Sequence, residues 1–234
     1  MIEDLDLRLY AIVDPEQSGG HALPELARMV AAGGATLIQL RDKKSETRAM
    51  IALARAVKAA LPAHVPLIVN DNIDVAFEAG ADGVHLGQED TNVVAARERL
   101  GPMPFIGLTV QTVEHARAAP LAIIDYVGIG GVYATSSKNN PRPPIGVSGL
   151  RTIIDVFRHR IGNFPACAIA GVTKDNAADV IKAGADGVSV ISALSKAPDP
   201  VAAARALRAV VDDALLVRAP AVPDTRERRR EASI

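Results

Sequence analysis

Tryptophan is absent from the sequence, aromatic residues make up only 3% of it, and there is a single cysteine. One cysteine excludes an internal disulfide and fits a reducing cytoplasm. Cys167 lies in an apolar run, so packing is expected of it and not nucleophilic chemistry. No stretch approaches the ~20 apolar residues that a membrane span requires. The start, MIEDLDLRLY, has acidic residues where a signal peptide needs a basic region and an apolar core, so no leader is expected. Excess charge is also missing. The formal net charge is −1, which points away from a nucleic-acid or membrane partner and confines any anion site to a local cluster. There is no Cys/His pairing for zinc and no nucleophile elbow. GIGG at 128–131 lacks the third glycine and the following helix of a dinucleotide loop.

The 234 residues are 49% hydrophobic and 23% charged, the balance of an ordinary globular protein with a large core. Short apolar runs punctuate the chain at 9–13, 36–40, 65–70, 83–86, 105–108, 124–129, 166–169 and 187–190. They lack clean alternation, as parallel strands covered on both faces do. Helical stretches alternate with them: about 24–32, 46–61 after Ser45 as N-cap, 73–79, 92–100, 112–119, 150–160, 175–183 and 199–216. Eight alternations predict an α/β fold, a single (β/α)8 barrel over residues 1–217. An open doubly wound sheet is the competing arrangement. A repeat favours closure: EAGADGV at 78–84 returns as KAGADGV at 182–188, 104 residues later. Four βα units of about 26 residues fill that interval, close to the roughly 30 of a βαβ unit. Gly80 and Gly184 are expected to end helices, and Gly83 and Gly187 to start strands, with no direct chemistry.

Barrel active sites lie at the C-terminal strand ends. There the chain delivers Gln39, Arg41 and Lys43; Asn70 and Asp71; His85, Gln88 and Asp90; Thr109; Thr135 to Lys138; Gly171 and Thr173; and Ser189, Ile191 and Ser192. Gln39, Arg41 and Lys43 alternate at period two, so an extended segment would aim all three to one side. A guanidinium, an ammonium and an amide so aimed suit a polyanion. Asp71 and Asp90, on adjacent strand ends, offer a seat to a hard cation whose shell phosphate oxygens and water would complete, the usual Mg2+ pattern. A Mg2+-bound diphosphate, with Arg41, Lys43, Asn70 and Lys138 as donors, is therefore expected. A second anion site is expected at strands 7 and 8. Gly171 would let a ligand approach the backbone there, and Ile191-Ser192 would open a helical turn. His85 is expected to be a hydrogen-bonded residue of the barrel interior. Asp42 is expected to face a neighbouring loop.

QLRDK at 39–43, VNDNIDVA at 69–76, GADGVHLGQED at 80–90, TSSK at 135–138 and GADGVSVISAL at 184–194 together resemble the thiamine-phosphate synthase family over about residues 9–210. The resemblance implies a (β/α)8 barrel that joins hydroxymethylpyrimidine diphosphate to a thiazole phosphate. The products are thiamine phosphate and pyrophosphate. It implies that Gln39, Arg41, Lys43, Asn70 and Lys138 hold the diphosphate, that Asp71 and Asp90 bind Mg2+, and that Thr135, Ser137, Gly171, Ile191 and Ser192 hold the thiazole phosphate. Arg41, Lys43, Thr109 and Lys138 would be the catalytic group, by electrostatics and positioning with no covalent nucleophile. Five positions depart from the family's common pattern. Thr109 stands for serine and Gln111 for histidine, Ala170 interrupts a glycine-rich turn, Ser137 stands for threonine, and Asn72 for arginine.

Two other readings share the fold: a thiazole tautomerase-like paralogue, and a phosphate-binding barrel without catalysis. Both substrates are small molecules, a cytoplasmic location is expected, and a homodimer is left open. Residues 218–234, rich in Arg and Glu, read as a disordered tail. Removing the tail is expected to leave steady-state turnover close to that of the full chain; a large loss would make it part of the working enzyme.

Overall fold

The strands form where short β-branched and aliphatic runs are bounded by turn residues. In the computed structural model, which describes residues 5–90, 92–135, 137 and 142–218, they are β1 (Leu9–Val13), β2 (Leu37–Leu40), β3 (Leu67–Asn70), β4 (Gly83–Leu86), β5 (Phe105–Val110), β6 (Tyr126–Ile129), β7 (Ala166–Ile169) and β8 (Gly187–Val190). The helices are α1 (Leu23–Ala32), α2 (Thr47–Ala60), α3 (Ile73–Ala79), α4 (Val93–Leu100), α5 (Val113–Ala118), α6 (Gly146–Ile161), α7 (Ala177–Lys182), the short α8 (Ser192–Ser195) and α9 (Pro200–Val217). Each strand pairs in parallel with its neighbours, and β1 pairs with both β2 and β8. The sheet is therefore a closed barrel, and the open-sheet alternative is excluded.

Helices pack their apolar stripes on the outward strand faces. Ala204, Leu207, Val211 and Ala214 of α9 are buried at helical spacing, as are Met50, Ala54 and Val57 of α2. Most expected elements fall within a turn of their positions; four differences have local causes. The helix after β2 begins at Thr47, and its N-cap is Glu46, which makes no side-chain cap bond. The backbone N–H of Ser45 instead donates to the carboxylate of Asp42, 3.0 Å away. Asp42 thus folds onto its own turn and not onto a neighbouring loop. β6 starts at Tyr126, because the residue before it, Asp125, is taken by a contact described below. α6 starts at Gly146, a turn earlier than expected. At the far end Arg218 belongs with the barrel: it donates to the Ala185 carbonyl at 2.6 Å and to Asp186 at 2.8 Å. The remainder of the expected tail, 219–234, lies outside the described residues.

The floor of the barrel explains the repeat. Asp82, at the third residue of GADG, donates its backbone N–H to the Leu67 carbonyl and accepts the Leu67 N–H on its carboxylate, both at 2.8 Å. Asp186, in the second GADG, makes the same two-point contact with Ala166, at 2.7 and 3.0 Å. Asp125 does so with Ile106, both at 2.8 Å, and Thr36 with Leu9, at 2.9 and 3.1 Å. The residue before each even strand therefore clamps an odd strand that neighbours it. The glycine after each GADG aspartate allows a tight approach. A Cβ on Gly187 would lie 1.7 Å from the Leu7 carbonyl oxygen, and one on Gly83 would lie 2.3 Å from that of Phe105. Leu7, Tyr10, Leu37, Ile68, Tyr126 and Cys167 fill the interior above this floor. Cys167 is packing, as expected, and burial pushes its thiol up to about 12.

Asp82→Ala leaves the buried Leu67 N–H without an acceptor. Denaturant unfolding should show a loss of ~1–3 kcal/mol, with turnover per folded molecule unchanged; an unaltered midpoint would show that the clamp contributes nothing.

Candidate active site

Parallel closure brings every C-terminal strand end to one mouth, and the polar residues gather there. Gln39 and Arg41 both line a narrow slot that enters the barrel interior, together with Asn70, His85, Thr109 and Ser189. The expected fan of Gln39, Arg41 and Lys43 is only partly formed, because β2 ends at Leu40. Gln39 turns inward and donates from Nε2 to the Tyr10 hydroxyl at 2.6 Å. Arg41 is held by an ion pair with buried Asp14, whose other oxygen accepts the Glu16 N–H. Lys43 reaches across to Asp71 in an ion pair. Asp14 was not singled out by sequence reasoning. Its place beside Arg41 depends on the β1–β2 pairing, in which Val13 lies opposite Leu40.

Asp71 and Asp90 do converge. Asp71 has a left-handed backbone (φ +61°), a conformation that a short polar side chain tolerates, and its N–H donates to the His85 carbonyl at 2.8 Å. That bond turns the chain sharply at the end of β3 and presents the carboxylate to β4. Asp90 accepts the Gly87 N–H at 2.6 Å. Burial, together with the neighbouring Asp90, pushes Asp71 up to about 6, against the opposing pull of Lys43. Partial burial opposes ionisation of Asp90 too, but its bonds from Asp71 and Gly87 hold it below the usual carboxylate range. One carboxyl of the pair thus keeps a proton well above the ordinary range. Among the described residues no group of three or more His, Cys, Asp or Glu side chains is placed to hold a metal ion.

His85 is an interior, hydrogen-bonded residue, as expected. Nδ1 lies 3.1 Å from the Tyr126 hydroxyl and Nε2 lies 2.9 Å from Thr109 Oγ1. The Thr109 carbonyl accepts from Gln88 at 2.5 Å, which fixes the backbone behind that hydroxyl. GIGG at 128–131 turns out to be the end of β6 and the start of its loop, with Gly128 packed beside His85.

The second cavity, of 290 Å3, opens between the ends of β6, β7 and β8. Ser137 Oγ lies 2.9 Å from Ser192 Oγ, and the Ser137 N–H donates to Thr135 at 3.2 Å, so three hydroxyl residues meet on its wall. Ile191 and Ser192 open α8 there. Gly171 also lines it, and the protein's own backbone adds a second constraint there. A Cβ at Gly171 would lie 2.4 Å from the Ala134 carbonyl oxygen and 2.6 Å from Tyr133 Cβ, so its close neighbour is the β6 loop. Ala170 beside it holds a left-handed backbone (φ +82°), which costs a residue with a Cβ roughly 1–2 kcal/mol. Ile169, Ser189 and Ile191 line both the slot and the cavity, so the two adjoin. Ser189 is buried, and its hydroxyl has no hydrogen-bond partner among the described residues. Lys138, expected at this mouth, lies outside the described residues.

Fold and site together define a (β/α)8-barrel enzyme whose mouth joins a cation- and carboxylate-flanked slot to a hydroxyl-lined cavity. A family model described as thiamine monophosphate synthase matches residues 9–194. A thiamine-phosphate synthase of Agrobacterium fabrum is 44% identical over 217 residues, covering 92% of this chain and 99% of that one. One of Methanoregula boonei is 48% identical over 204 residues, covering 86% and 92%. The solved thiamine phosphate pyrophosphorylase from Pyrococcus furiosus superposes with a TM-score of 0.78 at 35% identity, covering 90% of this chain and 98% of that one. The chain belongs to the thiamine monophosphate synthase family, and it is a transferase.

Removing the Asp90 charge removes one of the two causes that raise Asp71. In Asp90→Asn, carboxyl 13C NMR should show Asp71 titrating below its midpoint of about 6. An unshifted midpoint would assign the whole effect to burial. A carboxyl raised in the folded state opposes folding at neutral pH, and that opposition relents as pH falls through 6.

Proposed function

We propose that this protein joins 4-amino-5-hydroxymethyl-2-methylpyrimidine diphosphate to 4-methyl-5-hydroxyethylthiazole phosphate, releasing thiamine phosphate and pyrophosphate. The observation that carries the reading is the pair of adjoining cavities with different walls. The slot has Arg41 and Asn70 on its wall, the Asp71–Asp90–Lys43 cluster follows Asn70 directly at the end of β3, and the slot suits the pyrimidine ring with its diphosphate outward toward that cluster. The hydroxyls of Thr135, Ser137 and Ser192 suit the thiazole phosphate. The shared wall of Ile169, Ser189 and Ile191 is where the two rings would meet.

The bond between the pyrimidine methylene and the diphosphate oxygen breaks. The electron-rich aminopyrimidine carries the positive charge, and the thiazole nitrogen forms the new bond to the methylene. Such a reaction asks the protein to stabilise a leaving anion and align a nucleophile; it asks for no strong base. Arg41, braced by Asp14, is pre-oriented for the departing charge, and Thr109 offers a hydroxyl at the slot. Asn70 and Lys43 complete the diphosphate's contacts in this reading, Gln39, turned inward, lies on the side of the pyrimidine ring and not of the diphosphate expected for it, and Lys138 would add a further cation.

Mg2+ fits the carboxylate pair. Two carboxylates with no third protein ligand leave most of a hard cation's shell to water and phosphate oxygens, and the Lys43 ammonium beside Asp71 marks a place where positive charge is welcome. Asp71 and Asp90 would hold the ion, whose contribution is to neutralise the departing diphosphate. A thiazole tautomerase-like paralogue, or a phosphate-binding barrel without catalysis, would use the hydroxyl-lined cavity alone and leave this cluster without a purpose. No helix among the described residues is long and apolar enough to cross a membrane. The reading places the enzyme in the cytoplasm, as a monomer or a homodimer.

Pyrophosphate release should require both substrates and Mg2+ together. Its absence with all three present would overturn the reading. Asp71→Ala should fold normally and lose turnover by roughly 10²–10³-fold, the scale of one lost charge-stabilising group. Unchanged activity across a Mg2+ titration would remove Asp71 from the metal site.

A further inference from the structure

A chain of buried polar contacts runs from the barrel interior to the slot, and its middle members, Tyr10, Tyr126 and His85, have no role in the reading above. Gln39 Nε2 donates to Tyr10 Oη at 2.6 Å, Tyr10 Oη lies 2.9 Å from Tyr126 Oη, Tyr126 Oη lies 3.1 Å from His85 Nδ1, and His85 Nε2 lies 2.9 Å from Thr109 Oγ1. Tyr10 is 1% exposed and Tyr126 is fully buried. Burial pushes both phenols well above their ordinary range, so each carries its proton. The rings pack edge to face, with Tyr10 and Tyr126 centroids 5.9 Å apart at 72°. The barrel makes room for this contact at Gly107, where a Cβ would lie 2.2 Å from Tyr126 Cζ and 2.4 Å from His85 Nδ1.

The distances leave the donor open at each hydroxyl and ring nitrogen, and a direction follows once Gln39, the one assigned donor, is taken as the fixed end and every phenol proton is given a partner. Tyr10 accepts from Gln39, so its own proton goes to its other partner, Tyr126. Tyr126 then has its proton left for His85, and Nδ1 must accept it. A neutral imidazole that accepts at Nδ1 carries its proton on Nε2, and that proton points at Thr109. Thr109 Oγ1 therefore accepts from His85, and its hydroxyl proton is available to the slot. We propose that Tyr126 is a positioning residue: through His85 it holds Thr109 as a hydrogen-bond donor toward the substrate in the slot. Tyr126 does not line the slot, whereas Tyr10, His85 and Thr109 do. It thus acts on the reaction only through its neighbours. The inference rests on the transferase reading for the identity of the substrate, but the direction of the relay rests on Gln39 as the donor that starts it and on pairing each phenol proton, not on that reading.

Two measurements test it. The first is 15N NMR of histidine-labelled wild-type protein, with the His85 signal assigned by its loss in His85→Asn. The Nε2–H tautomer is expected; the Nδ1–H tautomer would reverse the relay and overturn the proposal whether or not the protein is active. The second is a double-mutant cycle on pyrophosphate release. Tyr126→Phe is expected to lower kcat roughly 10- to 100-fold, the scale of a misaligned group, with little change in KM for the diphosphate. In a Thr109→Val background the same substitution should have almost no further effect. Independent, multiplying losses, or an unchanged kcat in Tyr126→Phe, would overturn the positioning role. Wild-type protein that releases no pyrophosphate would instead overturn the transferase reading, leaving the NMR result to decide the relay.

Discussion

Closure of eight parallel strands requires that neighbours keep their register all the way round, because one slipped strand would turn its inward side chains out. Four residues hold that register at the floor. Thr36, Asp82, Asp125 and Asp186 each contact a single residue of an adjacent strand at two points, N–H to carbonyl and side chain to N–H. A single hydrogen bond permits rotation about itself; a reciprocal pair does not. With the floor so held, the strand ends on the opposite side lie at set positions relative to one another. Arg41 meets Asp14, and Asp71 meets Lys43, between strand ends that the closed barrel brings side by side.

The acidic residues accordingly divide by height in the barrel. Asp82, Asp125 and Asp186 at the floor serve backbone amides; Lys58 and Arg218 pair with the second oxygens of Asp82 and Asp186, and Arg97 pairs with the same Asp125 oxygen that accepts the Ile106 N–H. Asp71 and Asp90 at the mouth face each other, and the proton retained near pH 6 is the sign of a negative charge that the protein by itself does not fully balance. Similar side chains thus act as structural clamps at one end and, in the proposed reading, as a cation seat at the other, and what separates the two settings is the donors around each.

The interior repeats this economy of types. Parallel strands this short carry inward residues of mixed size, and glycines opposite the tyrosines and His85 keep the middle filled without strain. A core that contains two phenols and an imidazole is tolerable because each finds a partner, so little desolvation goes uncompensated. The polar path then leads to Thr109. Ser189, between the two cavities, keeps a buried hydroxyl with no partner among the described residues.

Eight apolar runs alternating with helices, and the recurring GADG turns, made the closed barrel legible in the sequence, because hydrophobic periodicity and glycine punctuation are local properties. The convergence of Asp71 and Asp90 was also legible, since adjacent parallel strands must bring their ends together. Tyr10 and Tyr126 could not be recognised as anything but core, because they are embedded in apolar runs and their contact joins residues 116 apart. The meaning of Asp125 and Thr36 was hidden for the same reason: neither lies in a GADG turn, and only the neighbouring strand reveals what the side chain accepts. Gly171 was legible as a glycine that must be a glycine, but whether ligand or protein backbone fills the space beside it depends on where the β6 loop packs. The sequence by itself determined the architecture and which strand ends carry charge. Tertiary structure alone decided how each charge is partnered and which way the interior hydrogen bonds run, because those depend on distances between strands that the chain visits far apart.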